Sequence, residues 1–370
     1  MEQKKTAQRK ESTKEPLFHV VKRATIPFWQ AMAIRTGAIV LAFLLCTLLA
    51  SLLIGKSPID FLKTFFNGIF GSPRRLWNLA KDGAKLLCIS LAVTPAFKMK
   101  FWNIGAEGQT LMGALGAVTI IFYFGKTLPN PLLLVLMLIA AVLAGAIWGI
   151  IPAIFKAKWQ TNETLFTLMM NYVAIGLVGF FLKIWVSDGS GVLGELAFGH
   201  LPQVGHKYLL LILCALVLTA FVYIYLNYTK QGYEISVVGE SENTARYIGI
   251  NVSKVIIRTM IVSGAICGLA GFLIVSALDH SVTAETVGGL GFTAIMVSWL
   301  AKFNPLVMIG SSLLITLLQQ GASSISDAFR IDSSFPDMVV GIVLFFIIGC
   351  EFFINYQLKF RESEKKGEKA

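Results

Sequence analysis

Long apolar runs separated by short polar segments dominate the chain. The first run, from Thr36 to Ile54, is uninterrupted, and as a helix it spans about 28 Å, close to the hydrocarbon thickness of a bilayer. Two later runs, Lys85 to Phe97 and Gly288 to Phe303, are too short for a comfortable crossing. The pattern predicts an all-α polytopic membrane protein with about ten transmembrane elements, two of them short or broken. The other apolar runs cover residues 109–125, 131–155, 163–186, 208–228, 255–278, 306–320 and 338–353.

The composition agrees with a membrane protein. Of the 370 residues, 55% are hydrophobic and 14% are charged, which is too apolar for a soluble domain of this length. The 32 lysines and arginines exceed the 21 acids, but the excess lies in the tails and short loops rather than in one patch. This distribution is typical of the cytoplasmic ends of a membrane protein and does not indicate nucleic-acid binding.

Basic residues near both ends predict that the N- and C-termini are cytoplasmic. We expect a basic cytoplasmic tail over residues 1–35, a transmembrane domain over 36–355 and a charged cytoplasmic tail over 356–370. Termini on one side require an even number of crossings, which ten elements satisfy, as do eight if the two short elements are re-entrant. The loop from Ser57 to Asp82 conflicts with this charge bias, because it carries several basic residues on the predicted outer side. Its aromatic residues favour an amphipathic helix at the outer interface.

The segment from Gly232 to Asn251 is a long polar stretch with helix signals, lodged between two membrane-length runs. Ser241 can cap a short helix, and Gly249 suits a left-handed stop. Ala245 and Gly249 are four residues apart on one face, where small side chains let another protein approach closely. The alternative is a surface loop that only connects two transmembrane helices.

Three segments resemble one family of transporters. One is this polar stretch, GYEISVVGESENTARYIGIN, with the SGAICGLAG that follows it. It is similar to the cytoplasmic loop and next helix of ABC-transporter permeases in the branched-chain amino acid, ribose and nucleoside import superfamily. The second, Phe101 to Gln109 (FWNIGAEGQ), resembles the FNIGAEGQ signature of the nucleoside and simple-sugar members, from which Trp102 departs. The third, Asn162 to Tyr172 (NETLFTLMMNY), resembles their NExxxTxMxNY.

The resemblance implies a permease subunit of an ABC importer in the plasma membrane, with nucleosides as the expected solute. In this family a short helix couples the permease to its ATPase. We therefore expect a separate ATPase subunit to use the ATP, and no cofactor in this chain. A second homologous permease subunit and an extracytoplasmic solute-binding (lipo)protein are the other implied partners, besides membrane lipid. The expected ATPase-coupling residues are Glu240, Ser241, Ala245, Arg246 and Gly249, and Gly239 and Ile250 also match the family.

Broken or glycine-started helices at matching places in two halves indicate a central transport site. Asn103 to Gln109 and Gly288 to Thr293 have this character. Asn103 can cap the helix that follows it, and Glu107 lies near the positive end of that helix. Two interpretations stay open for these residues, a lining for the solute path or helix capping and packing.

A polar stripe of Thr164, Thr167 and Asn171 lies on one face of an otherwise apolar helix. Either these groups bond neighbouring helices, or Asn171 and Tyr172 face the path. Phe292 and Trp299 are candidates for stacking on a flat solute, although a tryptophan also serves as a membrane anchor. The candidate path residues are Asn103, Glu107, Gln109, Asn162, Glu163, Thr167, Asn171, Tyr172, Phe292 and Trp299.

Ionisable residues within the apolar runs are few, which argues against an ion-coupled secondary carrier. The four histidines have no metal-ligand spacing, and the sequence has no catalytic triad order or paired-carboxylate signature, so neither a metal site nor catalysis is predicted. A simple-sugar ABC permease of the ribose or galactoside type is the main alternative to nucleoside import, because the motifs overlap. An ion-coupled carrier is the alternative from another class. The few ionisable residues within the apolar runs, on which the argument against an ion-coupled carrier depends, are chiefly Glu107, Glu163, Asp337 and Glu351.

Overall fold

The structure is a computed structural model that describes residues 18–23, 27–186 and 193–360. The predicted tail segments 1–17 and 361–370, and residues 187–192 of a predicted outer loop, lie outside the described residues. The described chain is almost entirely helical and divides into two compact units, one formed by the described residues up to 65 together with those from 322 onward, and the other by the described residues between 66 and 321. The helices are α1 Phe28–Ile54, α2 Pro58–Phe70, α3 Pro73–Lys98, α4 Ala106–Phe124, α5 Asn130–Trp159, α6 Glu163–Trp185, α7 Leu209–Tyr228, α8 Lys230–Glu240, α9 Glu242–Tyr247, α10 Val252–Ile274, α11 Leu290–Leu300, α12 Pro305–Phe329 and α13 Phe335–Asn355.

Seven helices of the described chain are long and apolar enough to cross a membrane. α11 is a shorter apolar helix, as its glycine-headed run predicts. Each predicted apolar run forms a helix, so the all-α polytopic class is confirmed. The span of α10 includes the π-helix Val275–Asp279, which continues it directly. The seven spans are Trp29–Leu52, Asn130–Trp159, Glu163–Trp185, Leu209–Tyr228, Val252–Asp279, Pro305–Phe329 and Phe335–Asn355.

The prediction of a short element over residues 85–97 was wrong about its start. These residues form the second half of α3, which has 26 residues and contains Pro95. Ser72 caps its start by accepting a hydrogen bond from the Arg75 backbone at 3.4 Å, with Pro73 in the first turn. Hydropathy missed the first half because its charged residues interrupt the apolar run.

The predicted amphipathic helix over residues 57–82 is therefore α2 together with the start of α3. In α2, Phe61, Phe65 and Ile69 are buried and lie four residues apart, while Phe66 and Phe70 are exposed. This spacing places the buried residues on one face of the helix. The amphipathic pattern is confirmed for α2, and α3 follows after Gly71 and Ser72.

Glycines hold α4, α5 and α10 together at the centre of the unit over residues 66–321. A Cβ on Gly113 would lie 2.5 Å from the Cα of Gly268, and a Cβ on Gly264 would collide with the carbonyl of Gly145. Gly271 meets the α4 backbone in the same way. Gly264, Gly268 and Gly271 lie three and four residues apart on α10, and such small residues let helices approach closely.

The other unit contains a feature that hydropathy did not predict. β1 (Phe18–Lys22) pairs antiparallel with β2 (Tyr356–Phe360), next to the packed helices α1 and α13. Arg35 of α1 forms an ion pair with Glu351 of α13, with 2.6 Å between Nη2 and Oε1. Part of the predicted tail over residues 1–35 therefore has regular structure, since β1 covers Phe18–Lys22 and α1 already begins at Phe28. Strand pairing joins the two ends of the described chain side by side.

Candidate functional site

The turn before α4 is built on a pair of buried amides. Asn103 and Gln109 bond each other twice, with Nδ2 to Oε1 at 3.2 Å and Nε2 to Oδ1 at 3.1 Å. Asn103 also donates to the Ser263 hydroxyl of α10 and accepts from the Gly105 backbone. The residue at the N-cap of α4 is Gly105, which has no capping side chain, so the prediction that Asn103 caps this helix was wrong. Asn103 instead ties the turn to α4 and α10.

The polar stripe of α6 supplies the caps that α4 lacks. Asn171 accepts a hydrogen bond from the Gly108 N–H at 2.9 Å and donates to the Ile104 carbonyl at 3.0 Å. The Thr167 hydroxyl accepts from the Ile104 N–H at 3.1 Å. Both side chains are buried, and of the two open interpretations the structure shows interhelical hydrogen bonding. Tyr172, next along α6, is 64% exposed and does not share this buried face.

The two glycine-started segments meet at Glu107. Its Oε1 accepts from the Gly289 N–H and its Oε2 from the Gly291 N–H, both at 2.8 Å. The carboxylate thereby binds free backbone donors at the positive end of α11, although it is almost fully buried. A Cβ on Gly291 would lie 2.5 Å from the Glu107 nitrogen, and Gly289 has a left-handed φ of 78°, so both positions favour glycine. We call this contact of Glu107, Gly289 and Gly291 the junction.

Two further side chains of α3 hold the chain around the junction. Lys85 donates from Nζ to the carbonyl of Thr286 at 3.2 Å, just before α11. Thr94 and Ser298 share a hydrogen bond of 2.9 Å between their buried hydroxyls, which ties α3 to the end of α11. The sequence interpretation missed Lys85 and Ser298. A lysine within an apolar helix is the signal for the first, and nothing in the sequence distinguishes Ser298.

Exposed aromatic rings lie beside these buried polar groups. Phe292 and Trp299 are both partly exposed on α11. Trp299 contacts Trp102, with 5.3 Å between ring centroids and 46° between planes. Trp102 was not among the predicted path residues, although its departure from the family signature singled it out.

Asn162 and Glu163 stabilise the turn between α5 and α6. Asn162 caps α6 by accepting from the Leu165 N–H at 3.1 Å. Glu163 forms an ion pair with Lys156 of α5, with 2.9 Å between Oε2 and Nζ. The structure gives both residues helix-end contacts of their own, apart from the contacts of the junction.

The predicted short helix in the polar stretch is α9, preceded by α8. Ser241 caps α9 by accepting from the Thr244 N–H at 3.2 Å, and Gly249 has the left-handed φ of 83° expected of a stop. Ala245 is 0% exposed, because α9 packs against α8 and α10 of its own chain. The prediction of a small outward face is therefore wrong for Ala245, which is turned inward, whereas Gly249 has open space around it.

The outward side of α9 carries a different set of residues. Tyr247 is 92% exposed and Ile248 is 54% exposed, and we call these two residues the tip. Arg246 and Glu242 are exposed beside it and form an ion pair of 3.5 Å. An open cavity of about 580 Å³ adjoins the tip. Its lining includes Lys230, Tyr233, Glu234, Ile248, Lys254 and Arg258.

The end of α8 packs closely against the end of α3. Gly239 has no room for a side chain, because an added Cβ would collide with the carbonyl of Lys98. Glu240 ends α8 and is exposed. α8 packs against α3, and α9 packs against α8. We call α8 and α9 the platform, and this packing holds the tip in position.

A family model described as "Branched-chain amino acid transport system / permease component" matches residues 76–348. The chain belongs to this family. The matched range contains the junction, the α6 stripe and the tip. The resemblance inferred from the three sequence segments is confirmed.

Curated relatives of the permease match it over most of their length. A glucose ABC transporter permease protein of Haloferax volcanii is 29% identical over 91% of this chain and 92% of its own. A guanosine ABC transporter permease protein of Bacillus subtilis is 29% identical over 86% of this chain and 93% of its own. A nucleoside ABC transporter permease protein of Lactococcus lactis is 27% identical over 90% and 96%. The permease is thus a multi-pass plasma-membrane component of an ABC transporter and not an enzyme, and its family implies an ATPase component.

Proposed function

We propose that the permease imports nucleosides. The guanosine and nucleoside permeases among its relatives, each aligned over most of both chains, carry this proposal. The chain forms the solute path, and a separate ATPase subunit hydrolyses ATP, with no cofactor bound by the permease itself. A second homologous permease subunit completes the path, and an extracytoplasmic solute-binding lipoprotein delivers the solute. Coupling requires that solute and ATP bind the inward- and outward-open states with different affinity.

The proposed topology has both tails in the cytoplasm, with the transmembrane domain over residues 36–355 between tails 1–35 and 356–370. Ten helices, α1, α3 to α7 and α10 to α13, enter the membrane. If the two shortest apolar stretches are re-entrant, eight crossings give the same topology. The pairing of β1 with β2 supports termini on one side, and the basic residues of the tails favour the cytoplasm.

In this topology the ATPase binds the platform of α8 and α9 from the cytoplasm. Burial divides the predicted coupling residues into two groups. Ser241 and Ala245 fix α9 to its own chain, while Glu240, Arg246 and Gly249 lie at its exposed side. Tyr247 and Ile248 add the exposed apolar area that a protein contact buries.

The path runs beside the junction, and its parts differ in role. Asn103, Gln109, Thr167 and Asn171 hold the turn before α4, and Glu107 holds the start of α11. These five residues hold the two broken helices in position next to the solute. The exposed residues Phe292, Trp299 and Tyr172 are the proposed solute-facing surface, and Asn162 and Glu163 close the α5–α6 turn at its edge.

A simple-sugar substrate is the second candidate, and the glucose permease of Haloferax volcanii favours it. Reconstituted complex with its ATPase, partner permease and binding protein separates the two. Uptake of labelled guanosine should require ATP and resist competition by free ribose. Uptake of a labelled pentose or hexose, with no uptake of guanosine, would show a sugar permease. Uptake that persists without ATP but with a proton gradient would show an ion-coupled carrier.

A further inference from the structure

Trp102 and Trp299 form a pair of rings beside the turn before α4, at the far end of α11 from the junction. Trp102 directly precedes Asn103, and Trp299 belongs to α11, whose first turn binds Glu107. Their centroids are 5.3 Å apart, and their planes meet at 46°. The rings therefore form an open V rather than a closed stack, and we call them the tryptophan pair.

Neighbouring residues hold Trp102 in an outward position. Phe101 and Asn103 on either side are buried, while Trp102 is 44% exposed. Its carbonyl accepts a hydrogen bond from the Ile104 N–H at 3.1 Å, and Thr167 approaches the same carbonyl at 3.5 Å. The backbone of Trp102 is thus tied to α6, and its indole is turned away from the packed interior.

Trp299 is fixed in a comparable way from the other side. Val297 and Ser298 before it are buried, and Ser298 bonds Thr94 of α3 at 2.9 Å. Trp299 itself is 49% exposed. Phe97 meets Trp102 edge-on at 5.9 Å, and Phe303 meets Trp299 edge-on at 6.2 Å. Edge contacts of this kind restrain the rings while half of each indole surface stays uncovered.

We propose that the tryptophan pair is the stacking site for the nucleobase of the transported solute. The inference rests on the proposed function, because it assigns one subsite of the proposed nucleoside path. Every base has an aromatic face, so stacking on tryptophan accepts several nucleosides without reading their edges. Two pre-positioned rings also lose little side-chain entropy on binding, since packing already holds them. A path that must release its solute suits such an unspecific contact better than a set of directed hydrogen bonds.

The test compares alanine and phenylalanine at both positions in the complete reconstituted transporter. With saturated binding protein, Trp102→Ala and Trp299→Ala should each lower the maximal rate of guanosine uptake about thirtyfold, the middle of the range for one stacking contact. Trp102→Phe and Trp299→Phe should retain most of the rate, because a phenyl ring still stacks. The uptake ratio of guanosine to uridine should also fall in the alanine variants, since purines stack more strongly than pyrimidines.

Trp159 provides a matched control. It is 62% exposed at the end of α5 and forms a tilted pair with Phe155, with centroids 5.1 Å apart. Trp159→Ala should leave both the rate and the purine preference unchanged, because this aromatic pair lies at the end of α5 and not beside the turn before α4.

Three results would overturn the stacking site. One is wild-type uptake by the double variant Trp102→Ala/Trp299→Ala, and another is an equal loss of rate in Trp159→Ala. The third is an unchanged guanosine-to-uridine ratio in alanine variants that assemble normally. If an alanine variant fails to assemble, the phenylalanine variants decide, since inactive but assembled phenylalanine variants also contradict stacking. Wild-type transporter that imports sugars but no nucleoside is a distinct outcome, which refutes the proposed function itself.

Discussion

The junction and the tip use their side chains in opposite ways. At the junction, polar and charged groups are buried, and each of Glu107, Asn103 and Asn171 bonds backbone or side chains of its own chain. At the tip, the apolar side chains of Tyr247 and Ile248 are exposed. A buried polar group is costly unless it is paired, whereas an exposed aromatic ring is available to a partner. The buried polar residues of the junction thus stabilise the permease, whereas the exposed residues of the tip are available to a partner.

The largest expected effect on stability is at Glu107. Glu107→Ala removes two hydrogen bonds to a charged acceptor, each worth about 1.5–3 kcal/mol, and leaves two backbone N–H groups at the start of α11 unpaired. We expect a strongly lowered thermal unfolding midpoint in detergent and faster amide exchange at Gly289 and Gly291. Glu285→Ala, in the exposed loop before α11, is the control and should change neither.

The next effect comes from the close approach at Gly291. Gly291→Ala places a methyl group 2.5 Å from the Glu107 nitrogen, and such overpacking costs about 1–3 kcal/mol. Gly179→Ala is the matched control, because Gly179 is a helical glycine with open space around it. Its substitution should be neutral or slightly stabilising in the same unfolding experiment. Equal midpoints for the two variants would contradict the tight contact.

A further difference separates Asn171 of α6 from Asn162, which caps the same helix. Asn171→Ala leaves the Gly108 N–H and the Ile104 carbonyl unpaired inside the protein, at about 1–3 kcal/mol for each buried group. Asn162→Ala removes an exposed cap, which costs about 1 kcal/mol. The thermal unfolding midpoint of Asn171→Ala should therefore be lower than that of Asn162→Ala. The reverse order would mean that Asn171 is not the cap of α4.

The smallest effect on stability is expected at the tip, where the effect on assembly is large. Tyr247→Ala should change the unfolding free energy by less than about 0.5 kcal/mol, because the ring is almost fully exposed. Binding of the ATPase to the purified permease should weaken at least about tenfold, as for loss of an aromatic anchor. Asn243→Ala, exposed on the same helix, is the control. If Tyr247→Ala strongly lowered stability and left ATPase binding unchanged, the tip would be a structural contact like the junction and not a binding surface.

Much of the fold could be predicted from the sequence because long apolar runs and helix-end residues act locally. The apolar runs, the Ser241 cap and the Gly249 stop all depend on neighbouring residues. The β1–β2 pair was missed because its strands are separated by almost the whole chain, and the first half of α3 because charged residues break its hydropathy.

The candidate site was predictable only in part, because local sequence signals identify its segments but not the contacts between them. The two glycine-started segments could be identified, but their contact through Glu107 depends on how α4 and α11 pack. A helix of six residues has too few positions for its periodicity to say which face is buried. For this reason Ala245 was assigned to the outward face and Tyr247 was overlooked.

We propose that the tip contacts the ATPase while Ala245 of α9 faces its own chain. Photo-crosslinking tests it most directly, with a photoreactive phenylalanine analogue in place of Tyr247 in the complete membrane-embedded complex. The account predicts a covalent adduct with the ATPase subunit from position 247, and no such adduct when the analogue replaces Trp159. An intact complex in which position 247 gives no ATPase adduct, but reacts freely with a water-soluble label, would contradict it.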